Sequence, residues 1–284
     1  IDTSSPLAVA PVEKNVCRLE YFDMEVAGKT YPHIAAGTFI EQFSRNGMAG
    51  SETIGFTQTF GTPKLPVLKY PLAVTYRTAF TIEEMPEHLS LLFENRAVMG
   101  KHRFLLNGAE IPESSFRHAH VTDFNNTTAD IHPFAKEGEN VLEVICEIEQ
   151  SWHGVSDPLY LGGDFGVSDK VKISAQPKQA VFRPSYGEGF PYYSGTMAYS
   201  GSFDSEPAEG LVELRLDKRV YDCVELEVNG EALGVRGFTP YRWFIDGGKL
   251  KKGKNAFTLR VTNTLANMLD GRYFDYDEHK LVEI

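Results

Sequence analysis

The sequence lacks the features that would place it in a bilayer, on a nucleic acid or among disulfide scaffolds. None of its 284 residues falls in an uninterrupted apolar run of 18 or more, the length a membrane-crossing helix needs. Basic residues are in deficit, with 28 Lys and Arg against 39 Asp and Glu and a formal net charge of −11. Phosphate backbones and acidic lipid surfaces both require a positive field, so neither nucleic acid nor membrane insertion is expected. Cysteine is scarce: Cys17, Cys146 and Cys223 are odd in number and far apart. That spacing excludes a dense disulfide framework and a CxxC metal or redox site, and buried free thiols are expected. A G-x-S-x-G elbow, a P-loop and an HExxH helix are also missing, which removes support for serine-nucleophile, phosphate and zincin chemistry. The chain opens at Ile1 without Met, a charged n-region or an apolar h-region, so a signal peptide is expected to have been removed or to lie upstream.

What is present is an ordinary globular composition, 42% hydrophobic and 24% charged, in a length that suits two domains of roughly 100 to 200 residues each. Short runs of alternating apolar and polar residues dominate, rich in Val, Tyr, Phe and Leu and separated by Gly, Pro, Asn and Asp. LAVTYRTAF (72–80), NVLEVICEIE (140–149), CVELEVNG (223–230) and NAFTLRVTN (255–263) are examples. Period-2 alternation of this kind predicts half-buried strands, hence an all-β chain. One stretch, HIAAGTFIEQFSRNG (33–47), is expected to be helical and closed by Gly47.

Two stretches repeat one order of signals. The first reads YRTAF, LSLLFE, FLLNGAEI, EGENVLEVI over 76–145; the second reads YSGSF, LVELRLD, LEVNGEAL, KGKNAFTLRV over 199–261. Asn-Gly after an alternating strand supplies two residues that tolerate φ > 0 at a tight hairpin. The later Gly-x-Asn precedes a long strand. Gly108 and Gly138 are 30 residues apart and Gly230 and Gly253 are 23 apart, so the copies match after one loop insertion. Duplication of one β-sandwich is expected, with KVKISA (170–175) completing the first copy. The boundary is placed at a turn- and aromatic-rich junction, giving residues 1–183 as an N-terminal extension plus first sandwich and 184–284 as the second.

The series YRTAF, FLLNG, EGENVLEV and its second version YSGSF, LEVNG, KGKNAFTLRV resembles the galactose-binding-like jelly-roll domain of family 2 glycoside hydrolases and β-galactosidase relatives. LYLGGDFGV (159–167), GFPYYSGTMAY (189–199) and TPYRWFID (239–246) resemble the C-terminal paired jelly rolls of large bacterial glycoside hydrolases, α-L-rhamnosidase-like ones included. NVCRLEYFDMEV (15–26) is similar to the strand that follows the catalytic barrel in such proteins. The resemblance covers about residues 70–270. It implies two tandem jelly rolls, a parent chain with an upstream catalytic (β/α)₈ barrel, a glycan substrate and a secreted or periplasmic setting. It also allows a structural calcium held by loop oxygens, although no D-x-D-x-D loop announces one. No barrel pattern of alternating strands and helices occurs in this chain, so what carries over is the accessory region, with no catalytic residue assigned.

Candidate site residues follow from sugar chemistry. A pyranose offers an apolar C–H face to an aromatic ring while its hydroxyls seek polar groups. Trp152 with His153, Tyr160, Tyr186, Tyr192 and Tyr193 gather around the junction and are the sugar-binding candidates; the competing reading is that they pack the sandwiches. Trp243 alternates with Tyr241 and Ile245 and is expected in the core. His118 and His120, with Asp123 nearby, put two imidazoles on one strand face but show no third metal ligand, and no metal site is assigned. Asp157 and Asp164 are acids such as a glycosidase needs in pairs, but loop-bracing is the expected role, with Asp164 taking backbone N–H groups in a turn. Three functions stay open: a non-catalytic carbohydrate-binding accessory, a sandwich that itself cleaves glycans, and a structural spacer or docking module.

Overall fold

A computed structural model describes residues 1–45, 69–121, 124–169, 171–182, 189–216, 220, 222–270, 272–275 and 280–283. The alternation in the sequence becomes two-faced strands. In Gly138–Ile148 the residues Asn140, Leu142, Val144, Cys146 and Ile148 are buried, and those between them stay partly exposed. The fold is all-β, built mainly of antiparallel sheets, with no barrel among the described residues. Helix among the described residues is confined to Phe39–Arg45, Ala266–Asp270 and short 3₁₀ turns.

Two compact units emerge. One comprises Cys17–Gly163 with Val171–Ile173, the other Ile1–Val16 with Asp164–Lys170 and Ser174–Ile284. Residues 1–16 thus pack with the second repeat, because Leu7–Pro11 adds to the edge of its sheet beside Thr196–Ser205.

In the first sandwich, Gly138–Ile148 lies between Leu72–Ile82 and Lys101–Leu106, with Ala109–Ile111 at the edge. The hairpin Tyr21–Val26 and Lys29–Ala35 extends this sheet from Leu72–Ile82. Lys172 and Ile173 join Leu72–Ile82 in parallel, the completing role expected of KVKISA. The facing sheet runs Arg117–Ala119, Asn126–Asp130, Leu89–Glu94, Leu159–Gly163. Phe93 from that sheet stacks on Phe104 of the other, with ring centroids 5.4 Å apart.

In the second sandwich the large sheet runs Gln179–Ala180, Leu7–Pro11, Thr196–Ser205, Gly253–Thr262, Cys223–Val228, Glu231–Arg236, and the partner is the pair Leu211–Arg215 and Arg242–Asp246. Trp243, Leu226 and Leu259 are fully buried in its core. Side chains of this size each contribute roughly 1.5–3 kcal/mol by leaving water. Trp243 is a core residue, as its alternation indicates.

The duplication reaches down to single hydrogen bonds. Phe80 stands opposite Asn140, and Phe203 opposite Asn255. Asn107 and Gly108 turn their hairpin at φ 54° and 80°, Asn229 and Gly230 theirs at 52° and 86°, both residues left-handed as this tight turn demands. Asn107 Nδ2 then donates to Asn140 Oδ1 at 2.9 Å, and Asn229 Nδ2 to Asn255 Oδ1 at 2.8 Å. Both second asparagines are fully buried. Asn140 Nδ2 donates to the carbonyls of Lys136 and Gly138, and Asn255 Nδ2 to those of Lys251 and Gly253. Asp130 Oδ1 accepts from His132 N and Asp246 Oδ1 from Gly248 N, opening a 3₁₀ turn in each copy.

Two expectations are corrected. The stretch 33–47 is not one helix: Ile34 pairs with Phe22 in the hairpin, and the helix is Phe39–Arg45. The reason is local, since Thr38 Oγ1 and N both donate to Glu41 Oε2, at 2.9 and 3.1 Å, half of a capping box that sets the helix start. Gly47 lies outside the described residues. Cys17 and Cys146 are buried free thiols, but Cys223 is exposed, because the inward positions of Cys223–Val228 are Val224, Leu226 and Val228.

Candidate ligand-binding site

The aromatic residues proposed from sequence are not alike in the structure. Trp152 sits in a turn of the first sandwich, half exposed, with the His153 ring edge-on at 6.2 Å. His153 braces that turn: its Nδ1 accepts the Glu149 N–H at 3.2 Å, and its N–H donates to the Gln150 carbonyl. The ring also lies against the backbone of Gly100, where an added Cβ would come 2.5 Å from Nδ1. Tyr160 is buried in Leu159–Gly163, a strand buried at every position, and burial pushes its phenol up to about 12.

Tyr192 and Tyr193 belong to the other unit and are buried. The Tyr193 hydroxyl lies 2.8 Å from Glu13 Oε2 and 2.7 Å from the Thr196 carbonyl, and burial, then this carboxylate, raises its pKa. The hollow beside Tyr193 measures about 10 Å³, at most the space of one water. Tyr186 lies outside the described residues.

The polar candidates resolve similarly. His118 and His120 are exposed on and beside Arg117–Ala119, Asp123 lies outside the described residues, and no cluster of metal-ligating side chains occurs among the described ones. Asp157 accepts a hydrogen bond from Ser156 Oγ at 3.0 Å. Asp164, in the other unit, pairs with Lys14 Nζ at 2.6 Å.

Sequence reasoning passed over a concavity in the first sandwich. A groove of about 470 Å³ opens at the mouth of the first sandwich, within the range of roughly 300–1,000 Å³ usual for small-ligand sites. Phe93, Phe104 and Phe116 line it; the Phe104 and Phe116 centroids are 5.0 Å apart, those of Phe93 and Phe116 5.9 Å. The first two are nearly buried, so they form a floor, while Phe116 is only half-buried. Polar groups stand around them: Asn95, Arg96, His102 and Thr127. His102 Nδ1 is 2.8 Å from the Gly100 carbonyl. A carbonyl only accepts, so Nδ1 carries the proton and Nε2 is left for another partner. Arg96 holds φ +79°, a conformation uncommon for a residue other than glycine and enriched at functional sites. Gly100, which also lines the groove, is the residue His153 packs against, so one sequence candidate borders this site.

No protein-family model matches the sequence, and no curated protein matches it. Among solved structures the chain is similar to a β-D-mannosidase from Dictyoglomus thermophilum, with 12% identity and a TM-score of 0.39 over 88% of this chain and 31% of that one. It is also similar to a β-glucuronidase from Bifidobacterium dentium complexed with coumarin-3-O-glucuronide, with 11% identity and a TM-score of 0.37 over 89% of this chain and 42% of that one. A rhamnosidase from Novosphingobium sp. PP1Y shows 19% identity and a TM-score of 0.29 over 69% of this chain and 19% of that one. The chain thus spans less than half the length of each of these three enzymes.

Proposed function

We propose that this chain is a non-catalytic accessory region of a multidomain glycoside hydrolase, secreted or periplasmic, and that it binds carbohydrate. The observation that carries the reading is the groove of the first sandwich, where aromatic rings and hydrogen-bonding side chains converge as a pyranose requires. The motif resemblance supports the association with a glycosidase, and the all-β fold supports an accessory role because a sandwich offers no barrel mouth for catalytic carboxylates. Of the loop aromatics among the described residues, Trp152 is the one whose exposure leaves its ring open to a ligand, and it serves in this reading as a second platform in addition to the groove residues. The partners are a glycan and the catalytic domain of the same parent chain.

The test is affinity electrophoresis of the isolated chain through gels carrying soluble polysaccharides, together with an assay on aryl glycosides. Retardation by at least one polysaccharide, without turnover, is expected. Turnover would move the chain to the enzyme class, and neither retardation nor turnover across the panel would leave the spacer reading in its place.

A further inference from the structure

The two sandwiches repeat one pattern of turns and locks, and two of their differences meet at the groove. Asp130 and Asp246 correspond: each is the last residue of a five-residue strand and accepts from the N–H two residues on, at the 3₁₀ turn that follows. Counting back three residues along Asn126–Asp130 and Arg242–Asp246 sets Thr127 in the first copy where Trp243 stands in the second. Each stands opposite a buried apolar residue of the neighbouring strand, Thr127 opposite Phe93 and Trp243 opposite Leu214.

In the second sandwich that inward position is filled. Trp243 is fully buried, its Nε1 donates to the Gly234 carbonyl at 2.7 Å, and the Arg236 guanidinium covers the ring at 5.9 Å. In the first sandwich the position holds a threonine, and a groove of about 470 Å³ has Thr127 on its wall. The second difference is the insertion. Thirty-three residues separate Asn107 from Asn140, but 26 separate Asn229 from Asn255. The longer connection of the first copy carries the 3₁₀ turn Glu113–Ser115 and the strand Arg117–Ala119, and Phe116 lies between them. So the smaller residue at this position and the insertion that supplies the third aromatic wall of the groove occur in the same copy.

We infer that the two sandwiches have divided their labour: the first is the carbohydrate-binding copy, taking one pyranose ring in the groove over Phe116 with Thr127, His102 Nε2, Asn95 and Arg96 addressing its hydroxyls, and the second is a copy whose equivalent site Trp243 has closed. This rests on the carbohydrate-binding reading and deepens it. A sugar ring stacked on Phe116 keeps its C–H face on aromatic carbon and its hydroxyl edge toward the polar rim, the pairing that makes such sites selective.

The experiment is binding of the full chain to an array of immobilised neutral and uronate-containing pyranoside oligosaccharides, compared with T127W, F116A and W152A. T127W rebuilds in the first copy what the second already has. It should keep the circular dichroism spectrum and lose binding by at least about tenfold, as should F116A; about tenfold corresponds to roughly 1.4 kcal/mol. Should T127W fail to fold, F116A and H102A decide by the same criterion. Wild-type binding retained by groove variants that fold overturns the division of labour while leaving the carbohydrate reading intact, and more so if W152A alone abolishes binding. Absence of binding by the unmodified chain overturns the carbohydrate reading, and this inference with it.

Discussion

At the scale of single residues, the clearest consequences come from where side chains meet backbone. Gly100 holds φ +88°, and a methyl group there would run into His153 Nδ1 at 2.5 Å and the Glu147 carbonyl at 3.1 Å. Gly100→Ala should therefore cost about 1–3 kcal/mol, read as a lowered midpoint of urea unfolding; an unchanged midpoint would mean the His153 turn yields freely. The thiols offer a sharper contrast. Cys17 and Cys146 are buried, and burial pushes both up to about 12, whereas Cys223 is exposed. Only thiolate attacks a disulfide reagent, and only where the reagent can reach it. A colorimetric thiol titration of the native chain should count one reactive cysteine, and the same titration in denaturant three. Cys223→Ser should bring the native count to zero.

At the scale of elements, each sandwich is locked by a buried asparagine. Asn140 and Asn255 each bond to backbone groups on both sides of a turn and to the asparagine of the neighbouring hairpin. Truncation leaves several polar groups without their partner in a place that excludes water, so Asn140→Ala and Asn255→Ala should each cost about 2–3 kcal/mol, measured by denaturant titration. Equal penalties are expected because the networks match bond for bond; a silent Asn255→Ala would deny that the second copy depends on the same lock. These locks were legible in the sequence, as NG followed by GEN or GKN, because a left-handed turn admits few residue types and therefore leaves a trace in one dimension. The groove was not legible in that way. Thr127 acquires meaning only when register places it opposite Phe93 and in the position of Trp243, and register is a relation between strands. A hint lay in the spacing, since the insertion that lengthens the first repeat relative to the second carries Phe116. Tyr160 poses the opposite difficulty: neighbouring Gly and Pro make its stretch read as a loop, yet Leu159–Gly163 is a strand buried throughout.

At the scale of the whole molecule, the buried acids distribute unequally between the units, and this bears on stability in base. The first sandwich holds Cys17 and Cys146, raised by burial from 9.0 to about 12, and Tyr160, raised from 10.0 to about 12. The second holds raised tyrosines but no raised thiol among its described residues: Tyr193, Tyr241 and Tyr199, the last raised from 10.0 to about 12 by burial first and then by Asp222. A group held neutral in the fold keeps its proton where the unfolded chain has lost it. Its contribution is thus whole below the ordinary value and disappears as pH climbs from there toward the raised one. Each such group costs about 1.4 kcal/mol per pH unit within its window. Two thiols begin to act on the first sandwich at pH 9.0, a full unit before the tyrosines act on either. The first sandwich should therefore unfold at lower alkaline pH than the second. The chain has one tryptophan in each unit, Trp152 and Trp243, so in Trp152→Phe the fluorescence reports the core of the second sandwich alone. Far-ultraviolet circular dichroism should begin to fall near pH 10 while Trp243 emission stays blue, and the red shift should follow at higher pH. A red shift that precedes the loss of circular dichroism would reverse the order and show that the two buried thiols do not govern the alkaline limit.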